Sequence, residues 1–169
     1  MKSKVKKYYT EYGEGEWKRL IKDPYHQMEF NTSMHFLKKY LPKKGLILDA
    51  GAGPGRYTVA LAKQGYDVVL RDLTPKFVEM ARKKVKYAGV SKRVKSLEIG
   101  DITNLSEFKD GTFDAVICLG GPLTHVVDKK QRERAAAELV RVAKKGSLVF
   151  VSLMTRFSIH IDALEDFQE

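Results

Sequence analysis

The glycine-rich segment that follows the first apolar run carries the strongest chemical signal in the 169-residue sequence. It holds an acidic residue followed by the pattern G-x-G-x-G, formed by Asp49, Gly51, Ala52, Gly53 and Gly55. Glycine is required where the backbone approaches a ligand closely or takes a positive φ. A dinucleotide-binding turn reads G-x-G-x-x-G, and counting from Gly51 puts Arg56 at its third glycine position. The spacing therefore favours a ligand without a pyrophosphate, whose amino-acid portion is held by backbone groups.

An aspartate stands just past the second β-rich run. Asp72 is placed to accept hydrogen bonds from both hydroxyls of a ribose, the role of an acidic residue about 20 positions beyond a glycine turn. Leu73 would offer an apolar face to an adenine. The alternative role for Asp72 is capping of the next helix, for which Thr74, before Pro75, is the better candidate.

A second aspartate follows the third β-rich run, in Gly100-Asp101-Ile102. Asp101 is expected to accept a hydrogen bond from an adenine amino group, while a nearby backbone amide such as that of Ile102 meets a ring nitrogen. The alternative is an ordinary loop aspartate. Its place at the end of a parallel strand favours the binding role.

Two glycines and a proline follow the fourth run, in the segment Leu119 to His125. Small residues such as Gly120 allow a second substrate to approach closely. His125 is a candidate for taking a proton from an oxygen or nitrogen nucleophile, because its ordinary pKa is about 6.5. The alternative is a histidine that orders the loop or orients a substrate.

A metal site is not expected. The single cysteine, Cys118, lies within an apolar stretch, and the four histidines share no ligand spacing with it or with one another. A cysteine in such surroundings usually behaves as a small buried hydrophobic residue.

The net charge of +10 and the pI of about 9.6 raise the question of a nucleic-acid partner. The basic residues are interleaved with acidic ones, and no aromatic platform accompanies them, so a solvated surface of thermophile-like composition is favoured. No apolar run approaches the roughly 20 residues of a membrane helix. The basic start lacks the features of a signal peptide. We therefore predict a soluble cytoplasmic protein without membrane association.

The elements that must position these residues alternate between strand and helix. Predicted strands cover residues 46–50, 66–70, 94–99, 113–119 and 147–153. One predicted helix follows the glycine-rich turn and ends near residue 64, and two others cover 75–88 and 129–143. Apolar strands separated by helices predict an α/β fold with a doubly wound, mainly parallel sheet, whose ligands bind at the carboxyl ends of the strands. About forty residues of helical character precede this core.

Four segments together resemble class I S-adenosylmethionine-dependent methyltransferases, over about residues 45–153: Leu48–Gly55, Leu70–Arg82, Gly100–Ile102, and Phe113–Leu119 with its Gly-Gly-Pro-Leu tail. The resemblance implies a Rossmann-like fold and S-adenosylmethionine as cofactor, with S-adenosylhomocysteine as product. It implies cofactor contacts from Asp49, Gly51, Ala52, Gly53, Gly55, Asp72, Leu73, Asp101, Ile102, Leu119 and Gly120.

Three further segments resemble a branch of that family with an N-terminal helical lid: residues 17–20, 121–125 and 155–157. This resemblance predicts a lid over residues 1–44 and a cofactor-binding core over 45–169. It makes Arg19 a candidate partner for the methionine carboxylate. Tyr9, Tyr12 and Trp17 are expected either to wall the site or to pack the helices on the sheet.

The end of the sequence departs from the family pattern. The family fold has seven strands, whereas only sixteen residues follow Leu153, so the last two strands are expected to be absent. Strand five would then form an exposed edge, which predicts either a truncated fold or a homo-oligomer through that edge.

Three functional hypotheses follow from the sequence. The first is methyl transfer to an oxygen, nitrogen or carbon nucleophile of a small molecule, with RNA as the alternative acceptor. The second is a module that binds the cofactor without catalysis. The third, a nicotinamide-dependent oxidoreductase, is disfavoured by the glycine spacing.

Overall fold

The computed structural model describes residues 2–154 and contains one parallel sheet with helices on both faces. The helices are α1 (Lys2–Tyr12), α2 (Glu14–Arg19), α3 (Pro24–Tyr40), α4 (Arg56–Lys63), α5 (Pro75–Tyr87) and α6 (Lys129–Val142). The strands are β1 (Leu46–Ala50), β2 (Asp67–Asp72), β3 (Val94–Ile99), β4 (Phe113–Cys118) and β5 (Ala143–Val151). Their order in the sheet is β3-β2-β1-β4-β5, and every pairing is parallel. The predicted doubly wound α/β architecture is confirmed.

The central strands are apolar on both faces because each face is covered. On one face Leu48 and Val116 pack with Leu139 of α6. On the other, Ile47 and Ile117 pack with side chains of α3 and α4. Continuous burial of this kind is typical of strands in parallel sheets.

Two predicted strand boundaries were wrong in ways that matter for the site. Strand β2 continues to Asp72 instead of ending at Leu70, so the carboxylate belongs to the strand itself. Strand β5 begins at Ala143 instead of residue 147, because Ala143 pairs with Phe113 before the register shifts to Leu148 opposite Ala115. The intervening residues interrupt the regular pairing, and among them Gly146 has φ 81°.

The region before β1 is helical and packs on the core. Leu37 of α3 is fully buried against Leu61 and Ile117. Helix α1 lies beside α5, where the Lys76 ammonium donates a hydrogen bond to the carbonyl of Thr10. The division into a lid and a core remains a prediction.

Strand β5 is an edge of the sheet within residues 2–154, and it exposes Leu148 and Val151. The predicted association through this edge stays a prediction. Of the helices in the described part of the chain, none combines the length and the apolar character needed to cross a membrane. Residues 155–157, which contributed to the resemblance, lie outside the described residues.

Candidate functional site

A cavity of about 280 Å³ opens at the carboxyl ends of β1 to β4, and we call it the strand-end cavity. Parallel strands place their following loops at one edge of the sheet, which is where ligands of this architecture bind. Most of the predicted site residues lie on its wall: Arg19, Gly51, Ala52, Gly53, Asp72, Leu73, Asp101, Ile102, Leu119, Gly120 and His125. Asp49 and Gly55 do not.

Asp72 joins the second strand to the glycine turn. Its Oδ2 accepts a hydrogen bond from the Gly53 amide, and its Oδ1 accepts one from the Thr74 amide, each at 2.8 Å. Burial raises the pKa of this carboxyl, and the two amides act against that rise. Thr74 occupies the N-cap position of α5, as predicted, although its hydroxyl makes no capping bond there. Asp72 therefore orders the turn while also facing the cavity.

The glycine turn holds its backbone close to the opposite loop. The amides of Gly51 and Ala52 both donate to the carbonyl of Arg71, at 2.8 and 3.2 Å. A Cβ on Gly51 would lie 2.5 Å from the Cβ of Pro122, and Gly51 has φ 74°. The turn is thus packed between β2 and the loop after β4, with the remaining space belonging to the cavity.

Gly55 faces the protein interior and not the cavity. It precedes α4 with φ 83°, and a Cβ there would lie 3.1 Å from the Cβ of Ala81 and 3.2 Å from a methyl carbon of Leu70. Its role in the structure is to allow α4 and α5 to approach the sheet closely.

We expect Gly55→Ala to lower the free energy of unfolding by about 1–3 kcal/mol, through left-handed backbone strain and crowding. Gly65→Ala is the matched control, because Gly65 also has positive φ but no atom within 4 Å of the added Cβ. Urea denaturation of both variants measures the difference. Equal losses would contradict the assigned packing role.

Asp49 lies beneath the cavity floor. It is buried, and its Oδ2 accepts a hydrogen bond of 2.6 Å from the Thr58 hydroxyl of α4. Burial raises the pKa of Asp49 to about 7, with a further rise from the charge of Asp72. The Asp49 side chain thus links β1 to α4 through this hydrogen bond. It does not line the cavity, so the predicted contact between its side chain and a cofactor there is not direct.

The residues predicted to bind an adenine lie together after the ends of β2 and β3. Leu73 and Ile102 present apolar surface to the cavity, and Asp101 lies between Gly100 and Ile102 on the same wall. The Asp101 Oδ1 accepts bonds from the amide and the hydroxyl of Thr103, both at 2.9 Å. These bonds fix the loop that would face a purine ring.

Arg19 reaches the wall, but its charge is already countered by two carboxylates. Its Nε donates to Glu16 at 3.0 Å, and its Nη1 donates to Glu29 at 2.6 Å. Burial raises the pKa of Glu16, while Arg19 lowers it. A ligand carboxylate at Arg19 would have to share the guanidinium with these residues. Neither glutamate was identified from the sequence, since each is an ordinary helix surface residue in the pattern.

His125 follows β4 in a short 3-10 turn, Pro122–His125, and meets the N-terminal helix. Its Nε2 lies 2.7 Å from the hydroxyl oxygen of Tyr9, and the two rings are nearly perpendicular. Burial lowers the pKa of His125 and raises that of Tyr9 well above its ordinary value. Both residues were candidates from the sequence, but the hydrogen bond between them was not predicted.

Trp17 does not line the cavity. Its ring lies 4.1 Å from the Arg56 guanidinium and 4.8 Å from the Lys84 ammonium, and its carbonyl accepts hydrogen bonds from Arg56. Lys84 also pairs with Glu14 at 3.1 Å. Trp17 therefore packs α2 against α4 and α5. This agrees with the alternative prediction, that Trp17 packs the helices on the sheet and does not wall the site.

A second, more open space of about 860 Å³ adjoins the first, and we call it the N-terminal cleft. Its walls are rich in aromatic and methionine side chains, including Tyr8, Tyr12, Tyr25, Met28 and Met154. The two spaces share residues from both sides of their boundary: Tyr9, Glu16, Arg19, Gly120 and His125. A molecule in the cleft would approach one in the cavity along these residues.

Comparison with known proteins agrees with this geometry. The model of a methyltransferase domain family matches residues 47–146, more than half of the chain. A glycine/sarcosine N-methyltransferase of Parasynechococcus marenigrum is 29% identical over 136 residues, which are 80% of this chain and 46% of that protein. A ubiquinone biosynthesis O-methyltransferase of Xanthomonas axonopodis pv. citri is 35% identical over 117 residues, 68% of this chain and 45% of that protein. The chain thus spans about half the length of these curated relatives.

Solved structures give the same result. A protein from Pyrococcus horikoshii superimposes with a TM-score of 0.69 at 25% identity, covering 85% of this chain and 65% of that one. A SAM-dependent methyltransferase from Methanosarcina mazei superimposes with a TM-score of 0.64 at 27% identity, covering 75% and 60%. With the strand order and the family match, these likenesses confirm the resemblance drawn from the four motifs. The chain belongs to the methyltransferase domain family and has the Rossmann-like fold of class I methyltransferases.

Proposed function

We propose that the protein is an S-adenosylmethionine-dependent methyltransferase that acts on a small molecule, with the cofactor in the strand-end cavity and the methyl acceptor in the N-terminal cleft. The observation that carries the cofactor assignment is the buried Asp72 at the end of β2, directly beside the glycine turn. Each of its oxygens uses one acceptor position on a backbone amide. The Thr74 side chain also acts on this carboxylate, and the lone pairs beyond these contacts would accept from the hydroxyls of a ribose.

The charge of the wall suits this cofactor. Although the whole chain carries a net charge of +10, the ionisable residues lining the cavity include four carboxylates and two guanidinium groups: Glu16, Asp72, Asp101 and Asp128 against Arg19 and Arg56. S-adenosylmethionine carries a sulfonium and an ammonium group against one carboxylate. A cation near Asp72 would offset the cost of burying this carboxylate and lower its pKa. Electrostatics thus favours a positively charged ligand.

Individual contacts are assigned by position. We expect Asp72 to bind the ribose, Leu73 and Ile102 to cover the adenine, and Asp101 to accept from its amino group. The backbone of Gly51, Ala52 and Gly53 would hold the amino-acid portion, beside Arg19. Leu119 and Gly120 would face the sulfonium. Asp49 and Gly55 would act indirectly, by shaping the turn.

The chemistry needs little from the protein beyond placement. When bound, the cofactor supplies a methyl group on a sulfonium; the acceptor's lone pair forms the new bond to this carbon as the sulfur–carbon bond breaks and its electrons pass to sulfur. Gly120 and Gly121 lie at the passage between cavity and cleft, where an added Cβ would meet the side chains of Arg19 at 3.4 Å and Met154 at 3.2 Å. Residues along the passage would align acceptor and methyl group, and proximity of this kind accounts for much of the rate in such reactions.

A small-molecule acceptor is supported by two observations. The N-terminal cleft combines aromatic and methionine side chains with polar ones such as Glu16, Arg19 and Glu29, a mixture that suits a small polar molecule. The relatives include proteins named for glycine, sarcosine and ubiquinone biosynthesis. We extend the class, and not the individual substrates, to this chain.

Isothermal titration calorimetry tests the cofactor assignment. We expect the chain to bind S-adenosylmethionine and S-adenosylhomocysteine with micromolar affinity and to show no heat of binding with NAD. Binding of NAD alone would overturn the assignment in favour of a dinucleotide site. Binding of neither sulfur compound would contradict the proposed cavity directly.

A further inference from the structure

The Tyr9–His125 pair stands at the boundary between the two spaces. Both residues line the strand-end cavity and the N-terminal cleft, and they come from opposite sides of the boundary, α1 and the loop after β4. The loop after β4 is held to the residue that follows β5, because the Gly120 amide donates a hydrogen bond to the Ser152 hydroxyl at 2.7 Å. An acceptor in the cleft would therefore meet this pair at the point of methyl transfer.

The surroundings of the two groups favour a protonated phenol and a neutral imidazole. The Tyr9 phenol is buried beside Glu16, and both burial and this carboxylate favour its protonated form. The imidazole of His125 is half-buried, which favours its neutral form. A protonated phenol can donate to Nε2 of a neutral imidazole or accept from it, depending on the histidine tautomer. A relay through this pair requires the phenol to donate, with the ring proton of His125 on Nδ1.

We propose that Tyr9 and His125 form a proton relay that deprotonates a methyl acceptor bearing an O–H or N–H group. The Tyr9 oxygen accepts the acceptor's proton while its own proton passes to Nε2 of His125. The acceptor's freed electron pair forms the bond to the methyl carbon, and the sulfur takes the electrons of the bond that breaks. The products are a methylated acceptor, S-adenosylhomocysteine and an imidazolium, which later loses its proton to water. This inference rests on the proposed function.

The charged groups that face the relay come from several elements. Glu16, Arg19 and Asp72 act on the Tyr9 hydroxyl, together with the neighbouring Tyr8. Asp128, from the start of α6, lines the same cavity as His125. Burial of His125 opposes the positive imidazolium, so its proton is expected to pass to water soon after the transfer.

Nuclear magnetic resonance of the histidine ring nitrogens tests the arrangement without an acceptor. We expect His125 to hold its proton on Nδ1 and to titrate below its ordinary pKa of about 6.5. In Tyr9→Phe the pKa of His125 should rise, because the bond that stabilises neutral imidazole is lost. His35→Asn and Tyr87→Phe, on distant surfaces, are matched controls that should leave the His125 signals unchanged. A proton on Nε2 would overturn the relay, since this nitrogen could not then accept one.

Turnover tests the step itself, with catechol and sarcosine as O–H and N–H probes and S-adenosylhomocysteine release as the readout. We expect Tyr9→Phe and His125→Asn each to lower kcat by about 100-fold, and the double variant to lose little more. The wild-type rate should fall on the acid side as His125 becomes protonated, and this limb should vanish in both variants. Unchanged rates and pH profiles would overturn the relay.

Titration of the same proteins with S-adenosylmethionine separates the two proposals. Absence of binding in the wild-type chain would contradict the proposed function. Normal binding with full activity in both variants would contradict only the relay. If neither probe is methylated, the tautomer of His125 decides, because the relay requires a free lone pair on Nε2.

Discussion

Replacing Asp72 by alanine is expected to weaken the binding of S-adenosylmethionine by about 100-fold or more. Two hydrogen bonds from a ribose to a charged group contribute about 1.5–3 kcal/mol each, and about 1.4 kcal/mol corresponds to a tenfold change in Kd. The same substitution removes the acceptor for the amides of Gly53 and Thr74, so the glycine turn also loses its support. Calorimetric titration of the variant measures the loss.

The control for this experiment lies on the same strand. Asp67 lies at the amino end of β2, the end opposite to Asp72, and forms ion pairs there with Arg93 and Lys95. Asp67→Ala should leave the Kd unchanged. Circular dichroism in the absence of ligand shows whether Asp72→Ala is folded. A folded Asp72→Ala that binds S-adenosylmethionine as tightly as the wild type would place the ribose elsewhere.

The second large effect concerns Asp49 and the dependence of stability on pH. Its pKa is raised to about 7 by burial, against an ordinary value near 3.9. The folded protein therefore binds more protons at this position than the unfolded chain does between these two pH values. Its contribution to the free energy of unfolding falls as pH rises from about 4 to about 7, and the loss is about 4 kcal/mol at 1.36 kcal/mol per pKa unit.

Comparison with Asp49→Asn isolates this contribution, because asparagine keeps an oxygen for the Thr58 hydroxyl but does not ionise. Urea denaturation from pH 4 to pH 8 should show the variant gaining stability relative to the wild type as pH rises. Asp114→Asn is the control, and its stability relative to the wild type should change little across this range, because a lowered pKa places the loss of that carboxylate's contribution below about pH 4. Lys144 and the Leu46 amide lower the pKa of Asp114, so its ionised form stabilises the fold. A stability difference between Asp49→Asn and wild type that does not vary with pH would show that Asp49 is ionised throughout.

Much of the fold was predictable because its signals are local. The apolar runs that form β1 and β4 are bounded by turn residues, and each is too short for a buried helix. The position of Asp72 followed from its distance to the glycine turn. These features depend on neighbours along the chain, which a sequence displays directly.

The remaining features depend on contacts between distant residues. Tyr9 and His125 are separated by 116 positions, and no local pattern records their hydrogen bond. Gly55 and Asp49 look like ligand residues because they share the glycine motif, yet their surroundings are α4, α5 and the interior of the sheet. The early start of β5 depends on pairing with Phe113, and the run Ala143 to Gly146 has no strand-like alternation of its own.

The position of Trp17 gives this protein an internal spectroscopic probe. It is the sole tryptophan of the sequence, and it lies where α2 meets the core, between the cationic groups of Arg56 and Lys84. Its fluorescence therefore comes from a single place, the junction through which any displacement of the N-terminal helices would pass. Emission intensity and wavelength record that displacement in real time, without an attached dye and without knowledge of the acceptor.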